Sequence, residues 1–154
     1  MNIRRLTLND YTAMLTLYKE LDALHVEARP DYFVHRDDVY PQEHYSSAVS
    51  DPECLFIGAF DTEGNMIAFV RATRWNESGM VKTAKTVCLD NIYVLPSYRR
   101  NGIASKLFTE VELWAKEAGA ISINLNTWSF NKDAIALYRS MGMTPRQYIF
   151  EKKL

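Results

Sequence analysis

The sequence has almost no net charge and no long apolar run. Its 154 residues carry 18 Lys and Arg against 19 Asp and Glu, a formal net charge of -1. No global field draws it to nucleic acid or to an anionic membrane, although a local basic pocket for an anionic ligand stays open. The longest apolar stretches, such as residues 55–60, are far too short to span a bilayer. Arg4 and Arg5 near the start have no apolar run behind them, which is not the pattern of a signal peptide. Only Cys54 and Cys88 are available for disulfide chemistry, both in apolar strand-like segments, so buried free thiols in a reducing cytoplasm are the expectation. The three histidines, His25, His35 and His44, fit no usual ligand spacing, and no metal is expected. Low-complexity tracts, repeats and linkers are missing. So are G-x-G-x-x-G and Gly-Lys-Ser/Thr, which excludes the dinucleotide fingerprint and the nucleoside-triphosphate loop.

What is present is ordinary for a globular chain. Apolar residues at 47% and charged residues at 24% suit one domain, with one continuous core over residues 1–154. Residues 2–6 read as a short strand, and Thr7 with Asp10 resembles a capped helix start. Met14, Leu17, Tyr18, Leu21 and Leu24 then recur at helical spacing, with Pro30 beyond the end. A second short helix opens after Pro41 and stops near Asp51 and Pro52. Residues 54–60 and 66–75 are strands joined by the hairpin loop 61–65. Residues 76–80 form another turn, and 83–94 a long strand.

Ile103, Leu107, Phe108, Val111, Trp114 and Ala118 mark the clearest amphipathic helix, closed by Gly119. A strand over 120–126 follows. A short helix comes next, capped by Asn131, with Ala134, Leu137, Tyr138 and Met141 on one face and Gly142 at its stop. Residues 148–152 are expected as a last strand. The order β-α-α-β-β-β-α-β-α-β predicts an α/β fold with a mixed sheet, parallel where helices cross over and antiparallel at the hairpin.

The most informative stretch is Leu89-Asp90-Asn91-Ile92-Tyr93-Val94-Leu95-Pro96-Ser97-Tyr98-Arg99-Arg100-Asn101-Gly102-Ile103-Ala104. A strand ends at Val94, a tight loop follows, and a helix begins near Gly102. Such a junction presents unpaired N–H groups at a helix amino terminus, where the dipole favours phosphate. Gly102 lets backbone approach an anion, Ala104 keeps the first turn free of bulk, and Arg99 and Arg100 add charge. By spacing alone, an ordinary helix start with two solvated arginines is an equal reading.

Here the sequence resembles a known family. Arg99-x-x-Gly102-x-Ala104 after Ile92-Tyr93-Val94-x-Pro96 is similar to the Gln/Arg-x-x-Gly-x-Gly/Ala signature of the GNAT N-acetyltransferases. Asn131-Lys132-Asp133-Ala134-Ile135-Ala136-Leu137-Tyr138-Arg139-Ser140-Met141-Gly142-Met143 resembles the family's Asn-x-x-Ala-x-x-Leu-Tyr-x-x-x-Gly-Phe. Ala104 and Met143 stand where Gly and Phe are commoner. The likeness is strong from about residue 55 to residue 150 and weak before that.

The resemblance implies a GNAT-like fold with splayed central strands, acetyl-CoA as cosubstrate and transfer of acetyl to a primary amine. It places the coenzyme's pyrophosphate on Arg99, Arg100, Asn101, Gly102, Ile103, Ala104 and Ser105. The pantetheine arm would run along Ile92, Tyr93 and Val94, with Asn131 and Ala134 near it; Asn131 either bonds that arm or caps its helix. Tyr138 aligns with the family tyrosine that protonates the departing thiolate; otherwise it is a core residue. Asp90 becomes the candidate for binding and deprotonating the amine. A carboxylate in an apolar strand is rarely packing, and its other reading is an exposed residue or an arginine's partner. Asn126 stands where the protein amino-terminal acetyltransferases carry a catalytic Glu, which lowers the weight on a protein substrate.

Asn91, His25, Tyr32 and Phe33 are candidates for lining the acceptor site, although residues 25–33 also read as a solvated helix end. Trp75 and Trp128 either flank the cleft or fill core. The resulting expectation is a cytoplasmic enzyme acetylating a small amine, such as a polyamine, an amino sugar or an amino-acid-like compound, and possible as a homodimer. A protein amine as acceptor is the alternative within enzymes. A non-catalytic acetyl-CoA sensor is the alternative outside them. A nucleic-acid binder using Arg99 and Arg100 is disfavoured by the charge balance.

Overall fold

The computed structural model describes residues 1–77 and 84–154. Strand β1 (Asn2–Arg5) leads through a 3-10 turn (Leu8–Asp10) into helix α1 (Tyr11–Ala28), which precedes α2 (Gln42–Ser50). Strands β2 (Cys54–Phe60), β3 (Met66–Glu77) and β4 (Ala84–Val94) follow, then α3 (Ile103–Glu117), β5 (Ser122–Asn124) and α4 (Lys132–Ser140). The strands lie in the order β1-β2-β3-β4-β5, antiparallel throughout except for β4 with β5. The crossover through α3 makes that last pair parallel. This is the mixed α/β sheet that the sequence predicts.

Both faces of the sheet are covered, and alternation along each strand decides which residue goes where. On β2, Leu55, Ile57 and Ala59 join Leu107, Val111 and Trp114 of α3 in one cluster. Cys54, Phe56 and Phe60 point the other way, into a cluster with Met14 and Leu17 of α1 and Tyr45 of α2. Such two-sided burial makes β2 read as an unbroken apolar run, and its observed bounds match the predicted ones. Cys54 and Cys88 are free thiols. Both pair in register with Thr73 of the strand between them, so they lie two strand spacings apart, beyond the reach of a disulfide.

Three expectations need correction. Asn76 and Glu77 belong to β3 rather than to a turn, because they still pair with β4, at Lys85 and Ala84. The rest of that predicted turn, and Thr83 at the predicted start of β4, lie outside the described residues. The strand expected over 120–126 shrinks to Ser122–Asn124, because β5 leaves β4 after Asn124.

Residues 148–152 form no strand, leaving five in the sheet among the described residues. Strand propensity rewards packing on a half-buried pleated surface, and this segment meets none. It crosses the end of α1 instead, with Glu151 paired to Arg29 at 3.0 Å and Lys153 paired to Asp31. Tyr148, Ile149 and Phe150 are left 75%, 86% and 92% exposed.

The junction of β1 with α1 is fixed by one carboxylate. Arg4 donates two bonds to Asp10, at 2.8 and 2.7 Å, and the N–H and hydroxyl of Thr7 donate to the same group at 2.8 and 2.9 Å. The Arg4 hydrogen bonds, ahead of those from Thr7, hold the Asp10 carboxyl at about 2, below its ordinary 3.8. A group more readily ionised in the folded than in the unfolded chain adds stability above its unfolded pKa, and that stability is lost as pH falls through the folded pKa. Asp10→Asn is therefore expected to be less stable than the wild type at neutral pH. Its stability should also fall less steeply between roughly pH 4 and pH 2, which urea unfolding across that range will measure.

Candidate active site

Strand β4 organises the site through an irregularity. Its register with β3 runs Ala72↔Leu89 and then Arg71↔Asn91, so Asp90 is an extra residue with no partner, a β-bulge. The insertion reverses the alternation. Leu89 packs in the α3 cluster, whereas Tyr93, four residues on, packs in the α1 cluster; strict alternation would put both on one face. The side chains of Asp90 and Asn91 therefore both turn toward the α1 side. There the Thr73 hydroxyl lies 3.3 and 3.1 Å from the two Asp90 oxygens, and Arg71 Nε lies 3.9 Å from one of them.

On its other edge β4 pairs with β5 only over Thr86–Cys88. Beyond Cys88 the two strands separate, and no described strand takes up that edge of residues 89–94. Backbone groups inside a fold need partners, so a gap of this kind suits an extended ligand that supplies them. Burial, ahead of the nearby Asp90 charge, pushes the Cys88 thiol up to about 11. It stays protonated and is a poor nucleophile.

The loop after β4 forms a cradle at the start of α3. Arg100 and Gly102 both adopt left-handed backbone, with φ of 63° and 72°. For Arg100 this is a strained conformation, of the kind that persists where the surroundings impose it. The first bond of α3 runs from the Lys106 N–H to the Gly102 carbonyl at 3.1 Å, which leaves the N–H groups of residues 103–105 unpaired within the helix. A Cβ placed on Gly102 would meet no atom within 4 Å, so open space lies in front of the turn. A diphosphate fits this arrangement of donors and space.

The two arginines behave differently. Arg99 folds back, donating from Nε to the Val94 carbonyl at 3.0 Å and lying over the Tyr93 ring. Its charge braces the loop against β4, and what it offers an anion is backbone. Arg100 reaches into solvent, 3.4 Å from Asp133. Asn101 ties the loop to itself through the Tyr98 and Arg99 carbonyls, both at 3.2 Å. Ile103 is buried under α3, while Ala104 is partly covered and Ser105 exposed.

Helix α4 begins as expected. The Asn131 side chain caps it by accepting from the Ala134 N–H at 3.2 Å. Tyr138 is partly buried, and its hydroxyl makes no hydrogen bond among the described residues. Burial alone raises its pKa to about 12, so the phenol keeps its proton near neutral pH and has a free donor to offer.

On the α1 side of β4 lies a cavity of about 180 Å³ lined by Tyr18, Leu21, Asp22, His25, Phe33, Asn91 and Trp128. Three expected residues, His25, Phe33 and Asn91, meet here. Tyr32 stands outside the lining but packs on Phe33 and Trp128 at ring distances of 5.3 and 5.0 Å. His25 is oriented by a 2.8 Å contact from Nδ1 to the Leu21 carbonyl. Trp128 is thus a cavity wall, whereas Trp75 is 64% exposed. Asn126 is also exposed.

Tyr18 and Asp22 were not anticipated as site residues, yet with His25 they follow the i, i+4, i+7 spacing of one helix face, a legible signal. Asp90 is not among the residues that line this cavity. Among the described residues, no group of three His, Cys, Asp or Glu side chains could hold a metal ion.

Comparison with known proteins agrees with this geometry. Residues 15–143 match the profile described as "Acetyltransferase (GNAT) family". The chain is 31% identical over 121 residues to an aminoglycoside N(6')-acetyltransferase type 1 of Acinetobacter genomosp. 13, covering 77% of this chain and 82% of that one. Its fold is similar to that of a point mutant of the BH1408 protein from Bacillus halodurans, with TM-score 0.96, 24% identity and coverage of 100% and 99%. It is also similar to the aminoglycoside N-acetyltransferase AAC(6')-Iy solved in complex with CoA, with TM-score 0.74, 20% identity and coverage of 99% of both chains.

Proposed function

Since the chain belongs to the acetyltransferase (GNAT) family, we propose that it transfers acetyl from acetyl-CoA to a primary amine of a small molecule, with the whole chain serving as one catalytic domain. Acetyl-CoA is the cosubstrate. The observation that carries the reading is the bulge at Asp90, which turns a carboxylate toward the acceptor side of a strand whose other edge is open.

When bound, acetyl-CoA supplies an activated acetyl thioester. The N–H groups at the start of α3, with the Arg100–Gly102 turn, hold its diphosphate. The free edge of β4 at Ile92, Tyr93 and Val94 bonds the pantetheine arm, and a backbone N–H there polarises the thioester carbonyl. Asp90, directly or through a water, takes a proton from the ammonium so that the neutral amine can attack. The amine nitrogen forms the new N–C bond as the C–S bond breaks, Tyr138 donates its hydroxyl proton to the departing sulfur, and the second proton shed by the newly acylated nitrogen passes, with the one on Asp90, to solvent. Solvent reprotonates the phenol.

The small cavity between α1 and β4 supports a small-molecule acceptor over an extended peptide, as does the aminoglycoside acetyltransferase relative. A polyamine, an amino sugar and an amino-acid-like amine all satisfy this chemistry. Free Cys54 and Cys88 support a reducing, cytoplasmic setting, and no described helix is long and apolar enough to cross a membrane. A homodimer is part of the proposal. Residues 148–150 leave two aromatic rings uncovered, and aromatic side chains bury roughly 150–250 Å² each, so two such arms approach the roughly 1,000 Å² that a specific interface needs.

Tyr138→Phe is expected to lower kcat by about tenfold or more while leaving acetyl-CoA affinity near that of the wild type; steady-state thiol release and calorimetry read the two quantities separately. Gly102→Val should weaken acetyl-CoA binding, because a β-branched residue resists the left-handed backbone and its side chain would fill the space before the turn. Unchanged affinity by calorimetry would remove the cradle from the mechanism. Phe150→Glu is expected to shift the chain from dimer to monomer in sedimentation equilibrium.

A further inference from the structure

A second cavity, of about 350 Å³, opens on the same face of the sheet as Asp90. Arg71 and Cys54 contribute to its lining from β3 and β2, His44 and Ser47 from α2, and Tyr40 from the loop before α2. A ring pair links it to the acceptor cavity: Tyr40 lines one and Tyr18 the other, with centroids 4.8 Å apart.

The unusual group here is Arg71. A guanidinium carries five N–H donors and no acceptor, and burying it without partners is costly. Yet Arg71 Nε is buried and makes no hydrogen bond. The carboxylate oxygen it pairs with, on Asp90, is 3.9 Å away, too far for a hydrogen bond, and Asp90 is already bonded by Thr73. Asp51 at the rim has one oxygen committed to the Glu53 N–H at 2.8 Å. The Cys54 sulfur lies within reach of the guanidinium but is only a weak acceptor, and burial pushes its thiol up, so it stays neutral and offers Arg71 no negative charge. Arg71 is therefore a half-buried cation with donors to spare, between an open cavity and the carboxylate assigned to the amine.

We infer that Arg71 anchors a carboxylate of the acceptor, which makes that acceptor an amino-carboxylate: its amine meets Asp90 and its acid group enters the cavity beside His44 and Ser47. A carboxylate matches the planar fork of a guanidinium, and the Ser47 hydroxyl is a further donor. The inference rests on the acetyltransferase reading above and narrows its acceptor from any small amine to one bearing an acid.

The test compares matched acceptors that differ only in the acid group: lysine with 1,5-diaminopentane, ornithine with 1,4-diaminobutane, and β-alanine with ethylamine. The expected result is a kcat/KM about tenfold or more higher for the carboxylated member of at least one pair, since a charged buried donor left unpaired is costly. Arg71→Met should abolish that preference through KM, and Arg71→Lys should keep part of it, as charge remains while the fork is lost. Because Arg71→Met could unfold the chain, the lysine variant gives the same reading independently.

Equal kcat/KM within every pair, a preference that folded Arg71→Met retains, or one that Arg71→Lys leaves undiminished, overturns the inference while leaving the acetyltransferase reading intact. Acetate or succinate accelerating the diamines instead would make the anion a separate effector and would overturn the inference as well. Acetyl-CoA binding with no amine turned over at all would sink both readings together, and so is distinguishable from the other outcomes.

Discussion

Every backbone amide inside a fold needs a hydrogen-bonding partner, and β4 is built to leave some of its own unserved. Its β3 edge is paired almost throughout, apart from Asp90. Its β5 edge is paired only as far as Cys88. The strand cannot slide to heal this, because Leu89 and Val94 are fixed in the α3 cluster and Tyr93 in the α1 cluster. The open edge is thus stabilised by packing elsewhere, and it suits the extended ligand proposed to complete it. The loop that turns into α3 leaves from the unpaired end of the strand, and the bulge on its β3 edge sets the direction of Asp90.

Charge in the site is arranged by contact rather than by excess. The chain is nearly neutral overall, yet its arginines have separate duties. Arg4 holds Asp10 and the start of α1, and Arg99 closes the end of β4. Arg29 bridges Asp31 and Glu151. Arg100 reaches into solvent toward Asp133 beside the cradle, and Arg71 lies inside with its Nε unpaired. The raised pKa of Tyr138 comes from burial alone. Such surroundings suit the proposed role of an acid that donates only as a thiolate forms.

The elements packed on both sides were the most legible in the sequence. An unbroken apolar run gave the limits of β2, and helical spacing gave α3, because burial dictates residue type at nearly every position there. The cradle was legible through its glycine and its place between strand and helix, and Asn131 through its capping chemistry. The bulge was not legible, since an inserted residue leaves no mark when both Asp90 and Asn91 are polar and their neighbours apolar. Arg99 appeared equivalent to Arg100 because sequence carries no direction for a side chain. Residues 148–152 have the composition of a strand, and what they lack is a neighbour, which composition does not encode. Asp22 was overlooked because the α1 pattern was read for its apolar face alone.

The parallel step from β4 to β5 divides the labour between the two ends of the polypeptide. Most of the wall that the proposed amine would face comes from before β4, with Trp128 added from after it, and the proposed grip on the donor comes from the segments that follow β4. Within the sheet β4 joins them, through three register pairs with β5. Changes accumulating in α1, α2 and the loop between them can reshape what is admitted without disturbing the grip. The same scaffold is therefore free to diversify in what it modifies while its chemistry stays constant.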